Sequence, residues 1–263
     1  MIEASPRIIV LDIGLVEVLA AFGLDNNLAL MPEDPAFVGL YPDVKRYRSA
    51  VNIESLMLLK PDIILGGNVL RDRTMMMQAD RVGIKTSHID RALPVEEKVK
   101  RVATLFGREA QGQVLLKAME TDLQTAKIIA SRREGSLRAI HLSSSGAGGD
   151  VALAGKGTQA YELIKRAGGE NLDKIDLFSG YKPMTAEGLI MLAPDVVIVS
   201  ELELEQLGGK DGIWKQVKGL AATPAGIHHR LIVLSHKGLK NGSIETANTV
   251  VSLAKKLADT ESS

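Results

Sequence analysis

The chain has 263 residues with 32 Lys+Arg and 32 Asp+Glu, so its formal charge is zero. This balance excludes the basic surface that a nucleic-acid binder or a polybasic membrane binder needs. The sequence contains no cysteine, which excludes disulfides and thiolate metal sites. It has no apolar run long enough to span a membrane and no charged-then-apolar leader. We therefore expect a soluble chain whose leader, if it is secreted, has been removed.

The first half of the chain alternates short apolar runs with helical patterns. Residues 7–11 form an apolar run, and residues 16–22 follow with helical spacing that stops at Gly23. Residues 28–30, 63–65 and 86–89 are predicted strands, with helices between them. Because strands alternate with helices, the pattern indicates a parallel α/β lobe.

A long helical pattern follows this first lobe. It covers residues 96–132 and is interrupted only at Gly107. With a rise of 1.5 Å per residue, the part after the glycine would span roughly 35 Å. This length is sufficient to join two lobes.

The second half repeats the alternation of strands and helices. It begins with a predicted strand at 139–142, a glycine-rich loop and a helix at 158–167 that is closed by Gly168 and Gly169. Predicted strands at 196–199 and 231–234 follow, and an amphipathic helix covers 244–257.

One stretch of sequence occurs in both halves. Residues 46–65 and 180–199 each contain a tyrosine loop, a short helix that ends at a proline, and a β-branched strand. An offset of 133 relates the pairs Glu54 and Glu187, Pro61 and Pro194, and Asp62 and Asp195. A repeat of this size implies two similar lobes. We predict α/β lobes at residues 1–106 and 135–263, joined by a linking helix at 107–134.

A nucleotide-using α/β enzyme is the alternative from another functional class. Residues 154–160 read AGKGTQA, which is similar to a phosphate-binding loop. The Walker pattern requires glycine five positions before Gly155, however, and Asp150 occupies that position. Residues 146–149 are too short for a dinucleotide fingerprint, and no nucleophile-elbow or Ser-His-Asp pattern is present. We expect no enzymatic activity.

The repeated unit occurs together with AGKGT at 154–158, LIKRAGGEN at 163–171 and GYKPMTAE at 180–187. This combination resembles the haem-binding branch of the substrate-binding proteins that serve ATP-driven importers, a cluster that also holds vitamin B12 and siderophore binders. The resemblance runs from residue 7 to 257 and implies the class III architecture, with two α/β lobes bridged by one long helix and haem in the cleft between them. It further implies a monomeric periplasmic protein that delivers haem to an ABC importer permease in the inner membrane. A siderophore or a cobalamin is the alternative ligand.

The resemblance places the haem-iron ligand at Tyr47, seven residues before the glutamate of the first repeat. Phenolate oxygen suits ferric iron, which is a hard cation. Tyrosine has a pKa near 10, so a nearby cation should favour ionisation, and Arg46 and Arg48 flank Tyr47. The related proteins commonly have arginine at the position of Ser49. Here Arg48 is the candidate to replace that arginine. The alternative is that Tyr47 is a half-buried loop aromatic.

Three arginines are candidates for contacts with haem propionates or with the ligand cleft. Besides Arg48, these are Arg71 and Arg73, which follow a predicted strand at the edge where open parallel sheets bind ligands. The guanidinium fork can bond both oxygens of a carboxylate. The alternative for Arg71 and Arg73 is a pair of cations on a helix surface.

Two residues of the second lobe are candidates for a second iron ligand or a cleft contact. Tyr181 stands six residues before the glutamate of the second repeat, and His236 follows the last predicted strand. The alternative for Tyr181 is a loop residue that caps the next helix. No histidine pair has zinc-ligand spacing.

Glu54 and Glu187 begin the two repeated helices. Acidic residues at helix amino termini are favoured by the helix dipole, which is sufficient reason for their presence. In the resembled family, glutamates at these positions dock the permease. The sequence departs from that family at residues 12–17 and near 241–243, where the usual glycine, serine and threonine and the usual Gly-Pro-Arg are replaced.

Overall fold

The computed structural model describes residues 5–48, 51–135, 137–144, 150–170 and 178–261. The chain forms two compact units. Unit 1 consists of Met1–Ala118 and Asn241–Ile244, and unit 2 consists of Met119–Lys240 and Glu245–Ser263. The fold class predicted from the sequence is confirmed, whereas the lobe boundaries at 106/107 and 134/135 stay predictions.

Unit 1 contains a five-stranded parallel sheet with helices between its strands. The strands are β1 (Ile8–Val10), β2 (Leu28–Pro32), β3 (Lys45–Tyr47), β4 (Ile63–Gly66) and β5 (Lys85–His88). Their order in the sheet is β3-β2-β1-β4-β5, with Ile8 of β1 opposite Leu28 on one side and Ile63 on the other. The helices are α1 (Ile13–Ala21), α2 (Ile53–Met57), α3 (Val69–Arg81) and α4 (Val95–Phe106).

The central strands of unit 1 are buried on both faces. All residues of β1 and β4 are buried, as expected for parallel strands covered by helices on both sides. One cluster of the unit 1 core joins the sheet to α2 and α3, and it comprises Ile9, Leu11, Ala29, Leu30, Leu56, Leu59, Ile64 and Ala79. This packing holds α2 and α3 against the sheet.

The predicted interruption of the long helix occurs at Gly107. This residue adopts the left-handed conformation with φ of 64°, which ends α4. Helix α5 (Glu109–Ser131) follows it, and the division between the two units falls within this helix, after Ala118.

The segment Asn241–Ile244 returns to unit 1 from the second half of the chain. Lys98 is fully buried in α4 and donates a hydrogen bond from Nζ to the carbonyl oxygen of Gly242 at 3.2 Å. Asp12 caps α1 by accepting from the amide of Gly14, and burial raises the pKa of Asp12 although the charge of Lys98 opposes the rise. The departures from the resembled family at residues 12–17 and 241–243 therefore lie in the same unit.

Unit 2 contains a mixed five-stranded sheet. Its strands are β6 (Ala139–Ser144), β7 (Val151–Ala154), β8 (Tyr181–Met184), β9 (Val196–Ser200) and β10 (Leu231–Leu234), in the order β10-β9-β6-β7-β8. Its helices are α6 (Gln159–Arg166), α7 (Ala186–Leu192), α8 (Glu201–Gln206), α9 (Gly209–Gln216), α10 (Pro224–Ile227) and α11 (Thr246–Glu261), and a π-helical turn covers Lys237–Asn241.

Half of this sheet is parallel and half is antiparallel. β6, β9 and β10 run parallel, whereas β7 is antiparallel to both β6 and β8. The sequence pattern did not indicate β7 or β8. β6 ends at Ser144 and β7 begins at Val151, a separation too short for the crossover that parallel pairing requires. The glycine-rich residues 146–149 lie outside the described part of the chain.

The chain leaves α2 and α7 in the same way in the two copies of the repeat. Lys60 and Ala193 adopt the left-handed conformation, with φ of 48° and 45°, directly before Pro61 and Pro194. Each left-handed residue turns the chain out of its helix, and each proline prevents the helix from continuing. The 133-residue offset therefore relates backbone conformations as well as residue types.

The aspartate that follows each proline has the same partner in both units. Asp62 accepts a hydrogen bond at 2.6 Å from the amide of Arg7, which precedes β1. Asp195 accepts one at 3.0 Å from the amide of Arg138, which precedes β6. Asp62 thus ties the start of β1 to the start of β4, and Asp195 ties the start of β6 to the start of β9.

Candidate functional site

Unit 1 has a cavity of about 390 Å³ at the carboxyl ends of its strands. Its lining includes Leu11 after β1, Tyr47 at the end of β3, Arg48, Val51, Asn52 and Arg71 in the first turns of α3. Open parallel sheets bind their ligands at this edge, so the topology places these residues where a ligand is expected. Tyr47, predicted to lie in a loop, is instead the last residue of a short strand, which fixes its backbone.

The side chain of Tyr47 is half-buried and points its hydroxyl group into the unit. The hydroxyl donates a hydrogen bond to the carbonyl oxygen of Leu11 at 3.2 Å. Burial raises the pKa of Tyr47 to about 12, an effect that the positive charge of Arg71 opposes and that Asp72 and Asp12 strengthen. The phenol is therefore protonated at neutral pH, and a metal must replace its proton in order to bind.

The cation that acts on Tyr47 is Arg71 and neither of the flanking arginines. Arg71 donates from Nη2 to the carbonyl oxygen of Leu11 at 2.8 Å, so Tyr47 and Arg71 share one acceptor. Arg46 donates instead to the carbonyl oxygens of Phe37 and Leu40. Arg48 lines the cavity but is paired with Glu33 at the surface.

Asp72 positions Arg71, a role that the sequence did not suggest. Its carboxylate is buried and accepts hydrogen bonds from the amides of Gly67 and Asn68 at 2.9 and 2.8 Å. The other carboxylate oxygen accepts from Nε of Arg71 at 2.9 Å. The sequence feature that could have indicated this role is an aspartate in the first turn of a helix that begins shortly after a buried strand.

Of the three arginines proposed for propionate contacts, two line the cavity. These are Arg48 and Arg71, whereas Arg73 is exposed on α3 and is not part of the lining. Residues 71 and 73 cannot face the same way on a helix, because neighbours on one face are three or four positions apart. Ser49, where the related proteins have arginine, lies outside the described residues.

Unit 2 places a buried carboxylate at the corresponding edge of its own sheet. Glu203 in α8 accepts hydrogen bonds from Ser143 Oγ at 2.7 Å and from Ser200 Oγ at 2.8 Å, and it pairs with Lys240. Its other partner is His141, whose Nε2 lies 3.1 Å from Oε2. Burial by itself would raise the pKa of Glu203, but the bond to His141 and the charge of Lys240 hold it well below its usual range.

This network orients His141 and connects it to Tyr181. Because Glu203 is ionised and can only accept, Nε2 of His141 donates to it. The hydroxyl of Tyr181 lies 3.5 Å from Nδ1 of His141, and the Nζ of Lys240 lies 5.3 Å from the centre of the Tyr181 ring. Tyr181 begins β8, so the structure places it on a strand and not in a capping loop.

His236 joins the same network through Ser200. Its Nδ1 lies 2.9 Å from Ser200 Oγ, and its backbone amide donates to Glu201 at 3.0 Å. Both predicted unit 2 residues, Tyr181 and His236, are thus brought together around Glu203. The sequence analysis missed Glu203, although Ser200 and Glu203 form a capping box directly after a buried strand.

Glu54 and Glu187 are exposed in the first turns of α2 and α7. The caps of these helices are also equivalent, since Asn52 and Thr185 accept from the amides of Ser55 and Gly188. The two glutamates therefore occupy matching positions in their units.

In the loop that resembles a phosphate-binding loop, the first two glycine-loop amides are already hydrogen-bonded within unit 2. The amides of Gly155 and Lys156 donate to the carbonyl oxygens of Gly180 and Phe178. Thr158 caps α6 by accepting from Tyr161. These bonds explain the glycine-rich sequence without a nucleotide, since a Cβ on Gly155 would lie 2.4 Å from the Phe178 ring.

The described residues contain no group of three or more His, Cys, Asp or Glu side chains able to hold a metal ion. Within the same ranges, no helix is both long and apolar enough to cross a membrane.

Comparison with known proteins gives one family and many similar structures. The family described as periplasmic binding protein matches residues 8–237. No curated protein matches the sequence. Among solved structures, the periplasmic heme-binding protein RhuT from Roseiflexus sp. RS-1 is 23% identical with a TM-score of 0.83, covering 98% of this chain and 99% of its own.

Two further structures have similar coverage. The periplasmic heme-binding protein BhuT, in complex with two hemes, is 28% identical with a TM-score of 0.82 over 98% of this chain and 99% of that protein. The periplasmic heme-binding protein HutB of Vibrio cholerae is 24% identical with a TM-score of 0.78, over 97% and 98% of the two chains.

Proposed function

Because this chain belongs to the periplasmic binding protein family, we propose that it captures haem outside the cytoplasm and delivers it to the permease of an ABC importer. The family match covers residues 8–237, and it makes the chain a binding protein and not an enzyme. The choice of haem is supported by BhuT, whose 28% identity extends over almost the full length of both chains. We further propose that the protein is monomeric and periplasmic, that residues 107–134 link its lobes, and that it binds no nucleic acid.

The single observation that carries the proposal is the position of Tyr47 in the unit 1 cavity. A phenolate is a hard oxygen ligand of the kind that ferric haem iron accepts. Tyr47 is half-buried at the carboxyl edge of a parallel sheet, with Arg71 beside it to favour the anionic form. We assign Tyr47 as the iron ligand.

Arg71 and Arg48 are the proposed partners of the haem propionates. Arg71 is held by Asp72 and by the Leu11 carbonyl, so little side-chain freedom is lost when it binds a carboxylate. Arg48 would have to leave Glu33, which is an exposed pair and thus weak. Arg73 is the less favoured candidate because it does not line the cavity.

Tyr181 and His236 are the proposed contacts in unit 2. The Tyr181 hydroxyl lies 3.5 Å from Nδ1 of His141, and Nδ1 of His236 lies 2.9 Å from Ser200 Oγ, so both residues belong to the Glu203 network. Glu54 and Glu187 are the proposed docking residues, because they are exposed at equivalent positions.

A visible-absorption titration of the protein with ferric haem tests the proposal. Wild-type protein should give a saturable Soret change with a tyrosinate-to-iron charge-transfer band, and Tyr47→Phe should lose that band. Tyr41→Phe is the matched control, since Tyr41 also lies in unit 1 but stacks on Phe37. If wild-type protein shows no saturable change, haem is not the ligand, and siderophores and cobalamin would be titrated by the same method.

A further inference from the structure

Helices α2 and α7 expose apolar side chains at equivalent positions of the repeat. Met57 and Leu58 are 45% and 83% exposed, and Ile190 and Met191 are 46% and 69% exposed. Ile190 follows Met57, and Met191 follows Leu58, by the same 133 residues that separate Glu54 from Glu187. Exposure of large apolar side chains is therefore a shared property of the two copies.

The leucines that flank these positions account for the packing of both helices. Leu56 and Leu59 of the first copy are buried, and so are Leu189 and Leu192 of the second. Since the buried leucines already anchor each helix to its sheet, folding does not require the outward residues to be apolar.

The exposed apolar residues lie on the same helix face as the glutamates. Positions i, i+3 and i+4 are neighbours on a helix, so Glu54 adjoins Met57 and Leu58. The amide of Leu58 donates to the carbonyl oxygen of Glu54, which places the two residues one turn apart. We call Glu54, Met57 and Leu58 the first patch, and Glu187, Ile190 and Met191 the second patch.

Single exposed apolar residues are common on protein surfaces and need no explanation. Here two such residues recur beside an exposed glutamate in both units, although the residue types differ between the copies. What is retained is the physical property, an exposed apolar pair next to one negative charge. Interfaces combine an apolar centre with a charged rim in this way.

We infer that each patch, and not its glutamate alone, docks the importer permease. This inference rests on the proposed function. The fitting partner surface is an apolar recess beside a cation, where the glutamate pairs with the cation and the apolar pair fills the recess. Because the two patches are alike, a permease with two copies of one membrane subunit would offer each patch the same recess. Methionine in each patch suits a recess of irregular shape.

The absence of cysteine makes a direct test simple, because any introduced cysteine is the only one. Leu58→Cys and Met191→Cys would each carry a photo-crosslinker, with Val114→Cys and Ile227→Cys as controls at exposed apolar positions outside the repeat. The probe is the haem importer of the source cell, reconstituted in lipid nanodiscs. Crosslinks to the permease are expected from both patch positions and from neither control.

The energetic contribution is tested with the double variant Leu58→Ser, Met191→Ser. We expect about a tenfold increase in the concentration of haem-loaded protein that half-maximally stimulates the importer's ATPase, which is the typical loss for truncated interface residues. Val114→Ser with Ile227→Ser should leave it unchanged. Haem titration of both double variants should match wild type, because the patches are not part of the cavity lining.

The outcomes separate the inference from the proposed function. If wild-type protein loaded with haem stimulates the importer and the patch variant does so equally well, the inference is wrong while the proposed function stands. If wild-type protein neither binds haem nor stimulates the importer, the proposed function fails, and the inference fails with it.

Discussion

Tyr47 and Arg71 donate hydrogen bonds to the same acceptor, the carbonyl oxygen of Leu11, at 3.2 and 2.8 Å. The shared acceptor keeps the guanidinium close to the phenol while the phenol is still protonated. When a metal replaces the phenol proton, Arg71 is already in place to stabilise the phenolate. The carbonyl oxygen of Leu11 still accepts the hydrogen bond from Arg71. The pair is therefore prepared for ionisation of Tyr47.

Arg71→Gln should weaken haem binding by roughly 10- to 100-fold, the range typical for residues that support a metal ligand. Removal of the positive charge raises the pKa of Tyr47 further and so favours the protonated phenol. Arg73→Gln is the matched control, two residues away on the same helix and outside the cavity lining. Haem affinity from absorption titration is the measurement, and equal losses in the two variants would contradict the role of Arg71.

Haem binding should become stronger as the pH rises. Burial raises the pKa of Tyr47 to about 12, so at neutral pH binding must release the phenol proton. The affinity of wild-type protein should therefore increase by up to about tenfold per pH unit. Tyr47→Phe should show a smaller increase, because it has no proton to release. A pH dependence that is the same in both proteins would argue against phenolate ligation.

Glu203→Gln should destabilise the protein by about 3 kcal/mol, since it leaves the buried His141 and the partly buried Lys240 without their anion. Glu205→Gln changes an exposed residue of the same helix and should have little effect. Urea unfolding followed by the fluorescence of Trp214 is suitable, because this is the only tryptophan and it is buried in unit 2. Similar midpoints for the two variants would show that the network contributes little stability.

The stabilising effect of Glu203 should disappear in acid. Its pKa is lowered in the folded protein, so its contribution is complete above the unfolded value, about 4.3, and is lost as the pH falls towards the folded value. The difference in unfolding free energy between wild type and Glu203→Gln should therefore shrink below about pH 4. Chemical denaturation at several pH values measures this difference, and a constant difference would mean that Glu203 does not titrate in this way.

Asp195→Asn should be more destabilising than Asp62→Asn, although the repeat makes them equivalent. Asp195 accepts from the amide of Arg138 and also from its guanidinium at 2.8 and 2.9 Å, whereas the bond of Asp62 is to the amide of Arg7. We expect losses of about 2 and about 1 kcal/mol, because bonds between charged groups are stronger. Circular dichroism during urea unfolding measures both units, and a larger loss for Asp62→Asn would contradict the expectation.

The repeat was readable from the sequence because its signals are local. Pro61 and Pro194 cannot continue the helices that precede them, and the β-branched runs after them form buried strands because of their own residue types. The haem family was recognisable for the same reason, since its motifs are short and continuous. The break of the long helix at Gly107 was equally local, because glycine is the residue that adopts the left-handed conformation at a helix end.

The antiparallel strands β7 and β8 were not readable in this way. A strand pattern gives no direction of pairing, and the short connection between Ser144 and Val151 excludes a crossover only once both strands are known. For the same reason, the sequence placed Tyr181 in a capping loop, whereas the structure places it at the start of an edge strand.

The sequence by itself determined the α/β class, the two-fold repeat and Tyr47 as the candidate ligand, because composition, period and motif are properties of neighbouring residues. The tertiary structure alone decided which charges act on the candidates. Arg46 and Arg48 adjoin Tyr47 in the chain but bind elsewhere, and Arg71 reaches the Leu11 carbonyl from a different helix. Glu203 likewise meets His141 across 62 residues of sequence. Electrostatic effects depend on distance in space, and only the fold sets that distance.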